Sequence, residues 1–177
     1  CKIISFTKNP LENTNLIGEL FTAISQQQVV ELNYHKFNAP DEILTVNVHP
    51  YLLKEYNRRW FLICAAETDG KILNFGLERI NNVNPLPAHK YVEYNGDINE
   101  IFEDIVGVTN YTEKEVLKIL FWVSDVSKDY VTSKPLHDSQ RYYRGDADKT
   151  YRTQYPMLHD GSFFSIECKE NYELIRE

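Results

Sequence analysis

The sequence predicts a mainly β protein with some helix: a small barrel or rolled sheet led by one helix, then a mixed α/β unit. Three observations predict it. Short stretches such as VVELNY at 29–34 and ILTVNVH at 43–49 alternate side chains between two faces, as strands do. Turn signals, among them TDG at 68–70, separate such stretches at close spacing. A single short helical pattern leads them, where a parallel α/β sheet would need a helix between successive strands. A chain of 177 residues with 42% hydrophobic content is long enough for one domain or two small ones.

The elements follow in order. Leu16, Ile17, Leu20, Phe21 and Ile24 recur at helical spacing behind an Asn-rich lead that can cap a helix, so a helix ending near Ser25 is expected. The first strand carries Val30, Leu32 and Tyr34 on one face. NAPDE at 38–42 reads as a turn, and the second strand, with Leu44, Val46 and Val48 on one face, is expected to stop at Pro50. RRWFLICAA at 58–66 reads as a buried strand, and KILNFGLERI at 71–80 follows the TDG hairpin with Leu73, Phe75, Leu77 and Arg79 on a common face. The two prolines of NPLPAHKY at 84–91 end this unit.

Beyond them, Asp97 and Glu100 form a capping-box pattern ahead of Ile98, Ile101, Phe102 and Ile105, which predicts a helix stopped by Gly107. EVLKILFWV at 115–123 suits either periodicity, and its β-branched and aromatic content favours a strand. SFFSIEC at 162–168 is another strand, and KENYELIRE at 169–177 starts a helix. The expected division is a leading segment at 1–15, a barrel at 16–90, a linker and helix at 91–110, and a C-terminal unit at 111–177 that the chain end cuts short. Since the chain opens at Cys1 and its one methionine is Met157, it reads as a piece of a longer polypeptide.

Several function classes are disfavoured. A net charge of −7 argues against coating duplex nucleic acid, which rests on broad phosphate neutralisation, but it allows a local basic patch. The acid is concentrated in the second half, where residues 97–177 hold ten basic and sixteen acidic side chains. Cys1, Cys64 and Cys168 lie far apart without a CxxC, and the five histidines show no ligand spacing, so no metal is expected. Widely spaced cysteines, no apolar run of membrane-spanning length and no signal-peptide pattern suggest a cytoplasmic location. No phosphate-cradling glycine loop or nucleophile motif occurs, so neither a catalytic residue nor a cofactor is expected.

Two places interleave cations with aromatic rings. The first runs from Lys54 through Tyr56, Arg58, Arg59, Trp60 and Phe61, with Arg79 from a neighbouring strand. Arginine beside aromatic rings grips phosphate while bases stack, as in single-strand binding. On composition alone, the polar end of a hairpin is the favoured reading. The second place is RYYRGDADKTYRTQY at 141–155, where Arg141, Arg144 and Arg152 alternate with tyrosines. A long solvated hairpin is the favoured reading there, and the stretch stands as a secondary candidate surface.

VVELNYHKF, VHPYLLKEYNRRWFLICA and FGLERI, in that order, resemble the three blocks of the WYL domain, named for a Trp-Tyr-Leu run that is here Trp60-Phe61-Leu62. SKPLHDSQRYY at 133–143 looks like an element of the C-terminal extension that commonly follows such domains. The resemblance implies an Sm-like or SH3-like barrel in a bacterial transcriptional regulator, a ligand-sensing module behind an N-terminal winged helix-turn-helix that would reach promoter DNA and is absent from this chain. It further implies a homodimer whose barrel binds a nucleotide or single-stranded nucleic acid. Carried over by position, the ligand-binding candidates are Tyr34, His49, Arg59, Phe61 and Arg79, with Arg58 beside them. Three departures stand out: Phe61 replaces the family's tyrosine, Glu78 replaces an aspartate, and TVNV at 45–48 carries no arginine where many relatives have a basic residue. The alternatives are an interaction module that only dimerises and, with the least support, an enzyme acting on nucleotides.

Overall fold

In the computed structural model, residues 13, 15–36 and 39–176 are described. The leading segment, Cys1 included, therefore lies outside the described residues apart from Asn13 and Asn15. The chain forms two compact units, residues 1–98 and 99–177.

The first unit is a helix on a rolled antiparallel sheet. Helix α1 spans Asn15–Ser25, and β1 (Val30–Lys36), β2 (Ala39–Tyr56), β3 (Arg59–Ala66), β4 (Ile72–Gly76) and β5 (Ile80–Pro85) assemble in the order β4-β3-β2-β1-β5. The edge strands β4 and β5 are joined by a 3-10 turn, Leu77–Arg79, and among the described residues no fifth ladder pairs them, so the barrel is rolled but not closed. Alternation sets the inner face: Val30, Leu32 and Tyr34 of β1, Leu62 and Cys64 of β3, and Phe75 of β4 are buried against Leu16, Leu20 and Ala23 of α1. Trp60 packs against this core as the alternation predicts, while Arg59 and Phe61 take the opposite face.

Pro50 does not stop β2. The strand continues to Tyr56, and its register against β3 shifts between Pro50 and Leu52. A residue without an N–H is tolerated at such a bulge, and the bulge adds twist. Residues up to Val48 pair with β1 and residues from Val48 onward pair with β3, so one bent strand turns the corner of the roll. The expected turn at 38–42 is also displaced: Ala39 already pairs with Lys36, and Asn38 lies outside the described residues. The β2–β3 hairpin closes through Asn57 and Arg58, both at positive φ (49° and 62°), the two-residue turn whose twist matches the strands.

Asn13 has a positioning role not visible in the sequence. Its backbone carbonyl accepts the Leu16 N–H, while its side-chain amide crosses to the closing turn and donates to the Leu77 and Ile80 carbonyls at 3.1 and 2.9 Å. Asn13→Ala leaves two part-buried carbonyls without that donor and is expected to cost about 1–3 kcal/mol in chemical denaturation.

The second unit is a three-stranded antiparallel sheet in the order β6-β8-β7, with β6 at Val116–Ser124, β7 at Arg141–Tyr142 and β8 at Gly161–Lys169. Helices α2 (Asp125–Ser133), α3 (Asp146–Gln154) and α4 (Tyr172–Arg176) complete it. The central strand β8 is buried along nearly its whole length. On one face Phe164 stacks between Phe121 of β6 and Tyr142 of β7, with centroids 5.6 and 4.9 Å away. On the other, Tyr151 of α3 and Tyr155, just past its end, lie against Phe163.

Two expectations fail here. Residues 97–107 form only a short 3-10 stretch, Ile98–Phe102, instead of a helix. In an α-helix the carbonyls of Ile101 and Asp104 would bond to the fourth residue along; here they accept from the Asn110 amide and the Lys169 N–H. Asn171 likewise donates to the Val106 and Thr109 carbonyls, so tertiary partners replace the helical ladder. Residues 141–155 are not a hairpin but β7 followed by α3. Gly145, at φ 65°, reverses the chain, and Asp146 and Asp148 sit in the first helical turn, paired with Lys149 and Arg152.

Candidate functional site

The closing turn of the barrel brings an acid between two arginines. Arg59 Nη1 lies 3.8 Å from Glu78 Oε1, and Arg79 Nε lies 3.7 Å from the same oxygen. Both separations exceed the roughly 2.7–2.9 Å of a charge-assisted hydrogen bond, so Glu78 is held here by charge rather than by tight hydrogen bonding. The Arg79 guanidinium also sits over the Tyr34 ring, 4.8 Å from its centroid, and that ring meets Phe75 edge-on at 4.7 Å. Arg79 is 22% exposed and Arg59 58%, so the Arg79 charge is the less screened of the two.

Each of these positions follows from the chain. Tyr34 ends the inward row of β1, and it pairs with Ile80 immediately after the 3-10 turn that carries Glu78 and Arg79. Phe61 pairs with Gly76, so their side positions share a face with Arg59. A Cβ on Gly76 would come within 2.7 Å of a Glu78 carboxylate oxygen. The carboxylate thus lies over Gly76, on the face where Phe61 stands half-buried. Burial pushes the Tyr34 hydroxyl above its usual range, against the pull of the Arg79 charge, so it remains neutral.

The structure therefore brings together Arg59, Arg79, Tyr34 and Phe61. It places His49 elsewhere: His49 pairs with Ala65, is buried, accepts the Val92 N–H on Nδ1 and meets Tyr91 edge-on. It lies five residues along β2 from Leu44, the partner of Tyr34, a separation of about 16 Å at strand rise. Arg58 is exposed at the hairpin tip, just outside the ladder. In the second unit, Arg144 stacks on Tyr142 at 4.6 Å and Arg141 is exposed on β7. Arg152 is engaged internally, by Asp148 and by the Gly161 carbonyl.

Glu78, Gly76 and Asn13 are the residues that sequence reasoning missed as parts of the site. The signal was there for two of them: a glycine two positions before an acid, in the block that also holds Arg79. Burial holds the Cys64 and Cys168 thiols protonated, which leaves them poor nucleophiles. Among the described residues, no group of three His, Cys, Asp or Glu could hold a metal ion, and no helix is long and apolar enough to cross a membrane.

Comparison with known proteins bears on the first unit. No curated protein matches the chain. Among solved structures, Proteasome accessory factor B/C (PafBC) of Arthrobacter aurescens is similar over 93% of this chain and 22% of its own, with 14% identity and a TM-score of 0.44. The chain thus spans about a fifth of that protein's length. Residues 15–85, from α1 to the end of β5, match the WYL domain. The stretch that matches the WYL domain is accordingly the rolled barrel with its Arg59–Glu78–Arg79 cluster.

Proposed function

We propose that the barrel is the ligand-sensing module of a bacterial transcriptional regulator and that Arg59 and Arg79 take an anionic ligand, a nucleotide or single-stranded nucleic acid. The observation that carries this reading is one anionic oxygen, Glu78 Oε1, lying between two guanidinium groups. A phosphate oxygen has the charge and geometry to take that place, and guanidinium forks bind it in two-pronged fashion. Glu78 is then an internal occupant that a ligand displaces.

The aromatic roles divide accordingly. Tyr34 is buried and covered by Arg79, so it orients the cation and does not stack on a base. Phe61, half-buried on the Arg59 face, is the ring on which a base stacks, and its missing hydroxyl makes that contact one of stacking alone. Displacement of Glu78 frees the Leu77–Arg79 turn that joins the two sheet edges, and a ligand binding this state better shifts the population towards it. A homodimer, with promoter DNA reached through an N-terminal winged helix-turn-helix outside this chain, belongs to the same proposal.

The test is a titration of fluorescently labelled short single-stranded DNA and RNA, and of mononucleotides, at low salt. Glu78→Gln removes the competing charge and is expected to tighten binding about three- to tenfold, within the range of a part-exposed ion pair. The Arg59→Ala, Arg79→Ala double variant is expected to bind no ligand detectably. Equal binding by wild type and the double variant, or no binding by wild type at any salt, overturns the proposal.

A further inference from the structure

A second concave site in the first unit shares no residue with the arginine cluster. It has a volume of about 320 Å³ and is lined by Tyr51, Tyr91 and Tyr94, by Ile24 and Gln27, and by the acids Glu93 and Asp97 near Gly96 and Ile98. The volume falls at the small end of ligand sites, roughly 300–1,000 Å³. Its lining contains two carboxylates and no lysine, arginine or histidine.

The rings are fixed in place. The Tyr51 hydroxyl donates to the Val92 carbonyl at 3.0 Å, and the Tyr91 hydroxyl donates to the Pro50 carbonyl at 2.7 Å. Tyr51 stands edge-on to Tyr91 at 6.1 Å and tilted against Tyr94 at 5.7 Å. The three tyrosines therefore present surfaces in different directions around one space, unlike a parallel stack, which closes its faces on itself. Gly96, at φ 115°, turns the chain so that Tyr94 and Asp97 both border the cavity. Gln27 donates to one Glu93 oxygen at 2.7 Å and orients that carboxylate. Burial raises the Tyr51 hydroxyl above its usual range and, with Tyr51 and Glu93 adding to it, pushes Tyr91 up to about 12. Both remain neutral phenols at neutral pH.

We infer that this open, tyrosine-lined groove of Tyr51, Tyr91 and Tyr94, edged by Glu93 and Asp97, binds a small alkylammonium cation. The negative faces of aromatic rings attract a cation within about 6 Å of the centroid, most strongly where the cation is only weakly hydrated. The two carboxylates supply the long-range attraction, and the absence of any basic group from the lining makes the site a poor one for anions. A quaternary ammonium, which donates no hydrogen bond, is suited to a lining that offers ring surface and diffuse negative charge.

The experiment titrates the full chain with choline and, separately, with 3,3-dimethyl-1-butanol, its uncharged isostere, following tyrosine ring resonances by NMR. Choline is expected to bind at least about tenfold more tightly than the isostere, the scale of a partly desolvated cation–π contact. Tyr94→Leu is expected to weaken choline about fivefold or more, and Tyr94→Phe to keep affinity within about twofold, since the ring face and not the hydroxyl makes the contact. The thermal unfolding midpoint, followed by circular dichroism, serves as the folding control for both variants. Equal binding of choline and the isostere, no choline binding, choline binding unchanged by Tyr94→Leu, or an equal loss in Tyr94→Phe overturns the inference.

Discussion

Arg79→Ala is expected to lower the affinity of the barrel for a labelled single-stranded oligonucleotide by about thirtyfold or more at low salt. Truncating one member of a desolvated charge pair costs about 2–5 kcal/mol, and about 2 kcal/mol is thirtyfold. Arg79 is largely shielded from water and braced over Tyr34, so its charge is poorly screened and its fork is already oriented. Arg59 is 58% exposed, and Arg59→Ala is expected to cost only about three- to tenfold. Arg79→Lys retains the charge without the planar fork and should fall between the two. Fluorescence anisotropy across a salt series checks the ranking, with circular dichroism confirming that each variant folds. A larger loss in Arg59→Ala than in Arg79→Ala would contradict the assignment of Arg79 as the principal cation.

Phe164→Ala is expected to destabilise the second unit by about 3–5 kcal/mol, the usual cost of deleting a buried aromatic side chain. Phe164 has no exposed surface and is the middle ring of a row that crosses the whole sheet, from Phe121 on β6 to Tyr142 on β7. Its removal opens a cavity on the central strand and ends both ring contacts, each worth about 0.5–1.5 kcal/mol beyond area burial. Since β7 has only two residues, Arg141 and Tyr142, its attachment to β8 depends heavily on that stacking. Denaturant unfolding monitored by near-ultraviolet circular dichroism reads the loss directly. A change under 1 kcal/mol would show that the aromatic row does not hold the sheet.

Much of the fold was legible because its signals are local. Period-two alternation identified β1, and the β-branched and aromatic content of residues 58–66 identified β3, whose core face holds Trp60, Leu62 and Cys64 and whose outer face holds Arg59 and Phe61. Helix α1 ends at Ser25, where the periodicity of its apolar residues ends. The misreadings share a cause. Pro50 looked like a stop because its missing N–H is a local fact, whereas the bulge that accommodates it depends on the pairing with β3. Residues 97–107 had a capping pattern and an apolar stripe, but Asn110, Asn171 and Lys169, distant in sequence or outside the helical ladder, claimed the carbonyls. The charged run at 141–155 looked like a solvated hairpin because its i, i+3 and i, i+4 ion pairs exist only once the helix has formed.

The candidate site residues divide in the same way. Arg59, Arg79, Tyr34 and Phe61 could be chosen from the sequence, because residue chemistry and block order mark them. Their neighbours could not. Glu78 reads as a conservative departure until the 3-10 turn sets its carboxylate between both arginines, and Gly76 reads as a spacer until that carboxylate is seen resting where a Cβ would be. His49 carries the same block resemblance as the others, yet the bend of β2 buries it beside Tyr91 and Val92. Local alternation and composition determined which residues face inward and which kinds of group the chain offers. Which charges meet, at what distance and with how much water between them, was decided by strand pairing and by the turn that rolls the sheet, because those contacts join residues far apart in sequence.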